Sequence, residues 1–293
     1  MKKQKLPNDI KIGIIGGSGV YNIEDLKNIR EYSINTPFGK PSEKIVVGEI
    51  ESKKVAFLPR HGRGHFISPT EINAQANIYA LKLLGVEFIL SISACGSLKE
   101  EIKPRDFVLP DQLYDRTKFR KPTFFGNGIV GHISFAQPYC ESLRKLVYSC
   151  AKSLGITMHY GGTYVCIEGP QFSTKAESNV YRSYGFDIIG MTALPEAKLA
   201  REAEICYVTI ALVTDYDVWK EGYEVSVEEV LANMKYNTEN CKKLIVEVVK
   251  NIDVNRRNCE CKDALKYAIL TNKKYINKKT YQKLKLLIGK YIK

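Results

Sequence analysis

The chain has 293 residues, with 44 Lys and Arg against 32 Asp and Glu and a formal net charge of +12. Hydrophobic residues at 44% and charged residues at 26% are globular values that exclude global disorder, and no apolar run approaches the roughly 18–20 residues that span a bilayer. The amino-terminal MKKQKLPNDI has no apolar signal-peptide stretch, so a cytoplasmic location and no membrane partner are expected.

The charge collects at the two ends. Residues 262–293 hold ten lysines against Asp263 alone, and Lys2, Lys3 and Lys5 precede the first acid, Asp9. The body between is neutral, which argues against nucleic acid as its partner. Without an export signal the eight cysteines are not expected as a disulfide framework, and Cys95, Cys150, Cys166, Cys206 and Cys241 read as small apolar thiols. Cys259-Glu260-Cys261 has no second pair or histidine beside it in sequence, so no metal site is expected.

In chain order, Lys11 to Ile15 reads as a short buried strand ended by Gly16-Gly17-Ser18-Gly19. β-rich runs at Lys44–Ile50 and Lys53–Leu58 flank a polar turn. Ser68-Pro69-Thr70-Glu71 combines an N-cap, a proline and a capping-box glutamate, predicting a helix from there to Leu84. Val86–Ser93 is a near-continuous apolar strand, as expected when both faces are buried. Then come a helix over 138–154, a strand over Gly162–Ile167, a helix opened by Thr174 and Glu177, and a short strand over Asp187–Ile189. A helix over 194–204, the apolar strand Ile205–Thr214 and a long helix opened by Ser226 and Glu229, running to about Lys250, complete the body. The alternation predicts an α/β fold with a parallel or mixed sheet in one compact domain. In the tail, Tyr281, Leu284, Leu287, Ile288 and Tyr291 form a helical apolar stripe beneath lysines. It reads either as a helix docked on the body or as a surface for membrane or RNA.

Four strand ends carry chemistry. The glycine loop fails the dinucleotide fingerprint, because Asn22 stands at the third glycine position, and it has no Walker lysine. It is either a plain tight turn or, with the Ser18 hydroxyl, a surround for a small anion. Arg60-His61-Gly62-Arg63-Gly64-His65 is either a charged surface loop or an anion site with an arginine fork and a histidine donor. Ser91–Ser97 ends a buried strand in small hydroxyl residues, and open α/β sheets bind ligands at such ends. Asp215 and Asp217 share a side in extended backbone, and close carboxyls resist ionising together, which suits one of them to general-acid work.

Seven motifs appear in order: Gly16-Gly17-Ser18-Gly19, Thr36-Pro37-Phe38-Gly39-Lys40-Pro41-Ser42, Arg60-His61-Gly62-Arg63, Ala94-Cys95-Gly96-Ser97, Glu168-Gly169-Pro170-Gln171-Phe172-Ser173, Gly190-Met191-Thr192 and Thr214-Asp215-Tyr216-Asp217. As a set over roughly residues 10–250, they resemble the 5′-methylthioadenosine phosphorylases of the purine nucleoside phosphorylase superfamily. The resemblance implies a single-domain nucleoside phosphorylase fold, a mixed β-sheet flanked by α-helices, assembled as a homotrimer or a dimer of trimers. The domain would span 10–261, between a basic extension (1–9) and a lysine-rich helical tail (262–293).

It also implies roles. Ser18, Arg60, His61, Ser93, Ala94 and Thr192 resemble the phosphate cradle, Met191 the residue beneath the ribose, and Phe172 the one packed on the purine. Asp215 and Asp217 resemble the catalytic pair at N7 and the 6-amino group. Val227, Val230 and Leu231 resemble the lining of the 5′-alkylthio pocket, to which a neighbouring subunit brings His132. Ser173 and Asp215 stand where relatives selecting 6-oxopurines have Glu and Asn. A carboxylate accepts from a 6-amino group and repels a 6-oxo group. Val227 replaces a histidine that would hold a 5′-hydroxyl. The implied reaction is phosphorolysis of methylthioadenosine, with phosphate as co-substrate and no cofactor. The alternatives are a phosphorylase of wider range (adenosine, inosine, guanosine or methylthioinosine) and nucleic-acid or membrane-surface binding through the tail.

Overall fold

The computed structural model describes residues 6–17, 24, 26–222 and 227–292. Its first half comprises β1 (Ile12–Gly16), β2 (Lys27–Tyr32), β3 (Ile45–Ile50), β4 (Lys53–Pro59), α1 (Ala74–Leu83), β5 (Phe88–Ser97), β6 (Phe107–Leu109) and β7 (Gln112–Arg116). There follow α2 (Glu141–Ser153), β8 (Met158–Tyr160), β9 (Thr163–Ile167), α3 (Lys175–Ser183), β10 (Ile188–Gly190), α4 (Glu196–Glu202), β11 (Cys206–Asp215), α5 (Val227–Asn251) and α6 (Lys278–Ile288).

All the strands join one mixed sheet. β4, β1, β5 and β11 run parallel at its centre, so their C-terminal ends lie along one edge. β5 is the strand that makes room for a ligand. Along one side it pairs with β11 from Phe88 to Gly96. On the other side, Phe88 to Ser91 pair with β1, and Gly96 and Ser97 pair with antiparallel β10. Between those two partners the sheet parts, beside Ile92 to Cys95.

The central strands are buried on both faces, and their side chains alternate between two cores. From β11, Cys206, Val208, Ile210 and Leu212 pack with α2 and α5, whereas Tyr207, Ala211 and Val213 pack with α1, α4 and α6. The tail is therefore a docked helix. Leu284, Leu287 and Ile288 of α6 are buried in the second core, with Tyr281 and Tyr291 packed against it. No helix among the described residues is long and apolar enough to cross a membrane.

Two helix starts differ from expectation. The Ser68 hydroxyl does donate to Glu71 Oε2 at 2.6 Å, but this closes a turn that precedes the helix. The cap of α1 is Asn73, whose Oδ1 accepts from Ala76 N while its Nδ2 donates to Phe38 O at 2.8 Å. One amide thus caps the helix and fixes the 36–42 loop, which Ser68 could not do. α2 starts at Glu141 rather than 138, because the backbone at Cys140 is extended (φ −82°, ψ 107°), with its N–H donating to Tyr207 O. The capping box of Thr174 and Glu177 is present, and Ser226 lies outside the described residues.

Candidate active site

A cavity of about 310 Å³ opens where the sheet parts. It is lined by Arg60, His61, Ser93, Ala94, Phe172, Ser173, Met191, Thr192, Asp215, Asp217 and Val230, all expected, and by Met234 and Thr238 of α5, which were not. Gly17 also lines it, whereas Ser18 lies outside the described residues, as does the side chain of Val227.

The anion end is built on β4 and β5. Arg60 follows β4 and is only 2% exposed. Its fork is not open to a ligand, contrary to expectation. Nε donates to Glu196 Oε1 at 2.5 Å, Nη2 to Glu196 Oε2 at 3.1 Å and to Ser91 Oγ at 2.7 Å, and Nη1 to Ile92 O at 2.8 Å. Five donors less four bonds leave one Nη1 hydrogen and the charge. Burial alone would lower the guanidinium pKa, but Glu196 more than offsets it and the value is raised. Arg63 points outward to Glu31, so among the described residues Arg60 is the one arginine lining the cavity.

His61 is also not the donor expected. Burial, with Arg60 beside it, pushes its pKa down to about 4, so the ring is neutral at pH 7. Nδ1 lies 2.8 Å from Ile67 O, an acceptor, and must carry the proton. Nε2 is left as an acceptor. The hydroxyls of Ser93 and Thr192 lie 2.6 Å apart, and the Ser93 hydroxyl is also 3.0 Å from Tyr164 OH.

At the opposite end, Asp215 closes β11. Its Oδ1 accepts from Asp217 N at 2.8 Å and its Oδ2 from the Thr214 hydroxyl at 2.7 Å. The two carboxyls do share the cavity, but through this turn, with Asp217 at φ +53°, rather than through strand alternation. Burial raises the pKa of Asp215 and pushes that of Asp217 up to about 6. Asp217 Oδ2 and Ser173 Oγ are buried without a hydrogen-bond partner among the described residues. Gly96 permits the approach, since a Cβ there would stand 2.8 Å from Asp215 Oδ1.

Phe172 is 73% exposed at the mouth. Two expected residues do not reach the cavity of their own chain. Leu231 is 59% exposed, because each helical residue turns by about 100° and the inward stripe is Val230, Met234 and Thr238. His132 is exposed, its backbone N donating to Ala268 O.

Sequence reasoning missed Glu196 and Arg120. Arg120 donates to Met191 O at 2.7 Å, Leu194 O at 2.6 Å, Ile167 O at 3.2 Å and Glu168 O at 2.7 Å. It thereby joins the two loops that carry Phe172 and Met191. Neither residue sits in a motif with a sequence signal of its own.

An anion cradle facing two protonatable carboxyls across an apolar cavity, at the C-terminal edge of parallel strands, defines an α/β enzyme of the phosphorylase type. The profile described as "Phosphorylase superfamily" matches residues 11–250. The S-methyl-5′-thioadenosine phosphorylase of Koribacter versatilis is 54% identical over 282 residues, 96% of each chain. That of Geobacter sulfurreducens is 53% identical over 283 residues, 96% of this chain and 99% of its own. A methylthioadenosine phosphorylase from an Antarctic soil metagenomic library has a TM-score of 0.92 at 46% identity, covering 96% of this chain and 99% of its own. A variant adenosine/methylthioadenosine phosphorylase from Schistosoma mansoni, in complex with methylthioadenosine, has a TM-score of 0.80 at 36% identity, covering 88% and 96%. The chain belongs to the phosphorylase superfamily and, within it, to the S-methyl-5′-thioadenosine phosphorylases.

Proposed function

We propose that the protein phosphorolyses 5′-methylthioadenosine to adenine and 5-methylthioribose 1-phosphate. The observation that carries this reading is one cavity holding a neutral-histidine and arginine cradle at one end and two carboxyls of raised pKa at the other. Phosphate lies among Arg60, His61, Ser93, Ala94 and Thr192, with Ser18 as a further hydroxyl. The bare Nε2 of His61 accepts the one O–H of the phosphate dianion, which turns its unprotonated oxygens toward the sugar.

One of those oxygens attacks C1′ as the N9–C1′ bond breaks. The electron pair of that bond passes to adenine, and N7 takes a proton from Asp215. The dianion also stabilises the oxocarbenium charge that develops on the ribose. Asp217 accepts from the 6-amino group, Phe172 and Ser173 cover the base, and Met191 lies beneath the sugar. Val230 and Met234 supply apolar surface for the 5′-methylthio group, together with Val227 and His132 of the partner subunit. The exposed position of His132, away from the cavity of its own chain, is consistent with its serving a partner subunit in a homotrimer or a dimer of trimers. Residues 10–261 form the catalytic domain, phosphate is the co-substrate with no cofactor step, and eight free thiols favour the cytoplasm.

The test is phosphate-dependent base release from methylthioadenosine, adenosine, inosine and guanosine, compared by kcat/KM. Methylthioadenosine is expected to lead. Rapid inosine cleavage with slow methylthioadenosine cleavage would overturn the reading.

A further inference from the structure

The sequence separates Cys140, Cys206 and the Cys259–Cys261 pair by long intervals, and the fold closes them. The four sulfurs all lie within 4.8 Å of one another. Cys140 precedes α2, Cys206 opens β11, Cys259 caps a 3-10 turn after α5, and Cys261 lies within that turn. Cys140, Cys206 and Cys261 are buried and Cys259 is partly buried. The expectation that the pair has no further ligands near it is therefore wrong in three dimensions.

The geometry points to a structural zinc site with four thiolate ligands. Zn–S bonds of about 2.3 Å set tetrahedral sulfurs about 3.8 Å apart. Cys206 Sγ and Cys259 Sγ stand 3.3 Å apart, well beyond the roughly 2.05 Å of a disulfide. A space this small holds a single ion, and an all-sulfur tetrahedral set selects zinc among the common divalent metals. Binding displaces one proton from each thiol to solvent, forms four Zn–S bonds and leaves the centre with two net negative charges.

The surroundings suit that charge. Arg257 Nη2 lies 3.7 Å from Cys206 Sγ and is fixed by a 2.6 Å bond to Glu204 O. The Ser142 hydroxyl lies 3.3 Å from Cys140 Sγ. A nearby cation and outer-shell hydrogen bonds are what steady thiolates on a metal. The packing outside these groups is apolar, which keeps water from the sulfurs.

Position makes the role structural. Cys206 and Asp215 are the two ends of β11, roughly 30 Å apart at the ordinary rise of a strand. The ion would pin the start of the C-terminal segment to α2 and the central sheet, far from the reacting atoms.

The test uses the full chain without a polyhistidine tag, produced in zinc-supplemented medium, with metal content and native mass measured. One zinc per chain is expected. Cys140→Ser, Cys259→Ser and Cys261→Ser should each retain less than a tenth of it, while Cys241→Ala, a buried thiol outside the cluster, should retain it all. Should those serine variants fail to fold, cobalt added to the metal-free wild-type chain should produce sulfur-to-cobalt charge-transfer absorption. Removing zinc should lower the melting temperature by several degrees and leave kcat/KM at low temperature within twofold. A metal-free mass four hydrogens below the reduced chain would mean two disulfides and overturn the proposal. So would four free thiols that take up no zinc, or full zinc retention in the serine variants.

Discussion

Arg60 faces the cavity as half of an ion pair with Glu196. The bidentate contact fixes the guanidinium plane, and with the bonds to Ser91 and Ile92 it leaves one hydrogen for the proposed phosphate. Glu196→Gln would leave a buried cation without its counter-charge, which typically costs about 3–5 kcal/mol. A urea titration should show that loss, partly restored by phosphate, and an unchanged midpoint would refute the coupling. In the proposed reaction the carboxyl pair works by proton position. Asp215→Ala should lower kcat by on the order of 10²-fold, the scale of a general acid, and near-normal turnover would remove Asp215 from that role. Asp217, raised to about 6 by burial, is a carboxylate above that pH and a neutral acid below it. The acceptor for the 6-amino group therefore disappears as pH falls through 6, and kcat/KM for methylthioadenosine should fall with it. In Asp217→Asn that acid limb should vanish, leaving only the ionisation of phosphate, common to both enzymes. An identical profile in the variant would assign the limb to another group.

Between elements, the proposed base and ribose sites lie on loops held by Arg120, which joins the carbonyls of Ile167 and Glu168 to those of Met191 and Leu194. A guanidinium reaches four carbonyls from one plane, whereas an ammonium is a compact point with three donors. Arg120→Lys should therefore raise KM for methylthioadenosine about tenfold with a smaller change in kcat, and an unchanged KM would show that the loops hold without it. Arg120 also marks where sequence stops being informative. It lies in a lysine-rich loop, and only the fold places the carbonyls beneath it. Glu196 is equally hidden, 136 positions from Arg60. The strands that carry the cavity were legible because burial on both faces leaves near-continuous apolar runs, as in β5 and β11. Three-residue β6 and β8 are too short to show a period, and β2 is a polar edge strand whose exposed residues follow no core. Strand-end hydroxyls and carboxylates were legible because chemistry at such ends follows from topology. The contact between Asp215 and Asp217 followed from local turn chemistry instead.

For the molecule as a whole, the +12 charge overlies an ordinary piece of packing. The lysine-rich tail is held by what lies under it: Leu284, Leu287 and Ile288 in the core, Tyr291 OH bonded to Glu204 Oε1 at 2.5 Å, and Lys290 Nζ 2.7 Å from Glu204 Oε2. Lys273, Lys274, Lys278, Lys279 and Lys285 remain exposed. Hydrophobic burial and surface charge make opposite predictions here, so two sets of variants separate them. Leu287→Ala removes a buried side chain and should cost about 2–5 kcal/mol, lowering the melting temperature by roughly 2–4 °C for each kcal/mol in a chain of this size. Changing these five of the tail's exposed lysines to Gln should leave stability within about 0.5 kcal/mol, because solvated charges add little to a packed helix. The same five changes should leave phosphorolysis unchanged and move elution from a cation exchanger to lower salt. Loss of phosphorolysis in the lysine variant, with its melting temperature intact, would mean that the tail's charge takes part in the reaction rather than covering a docked helix.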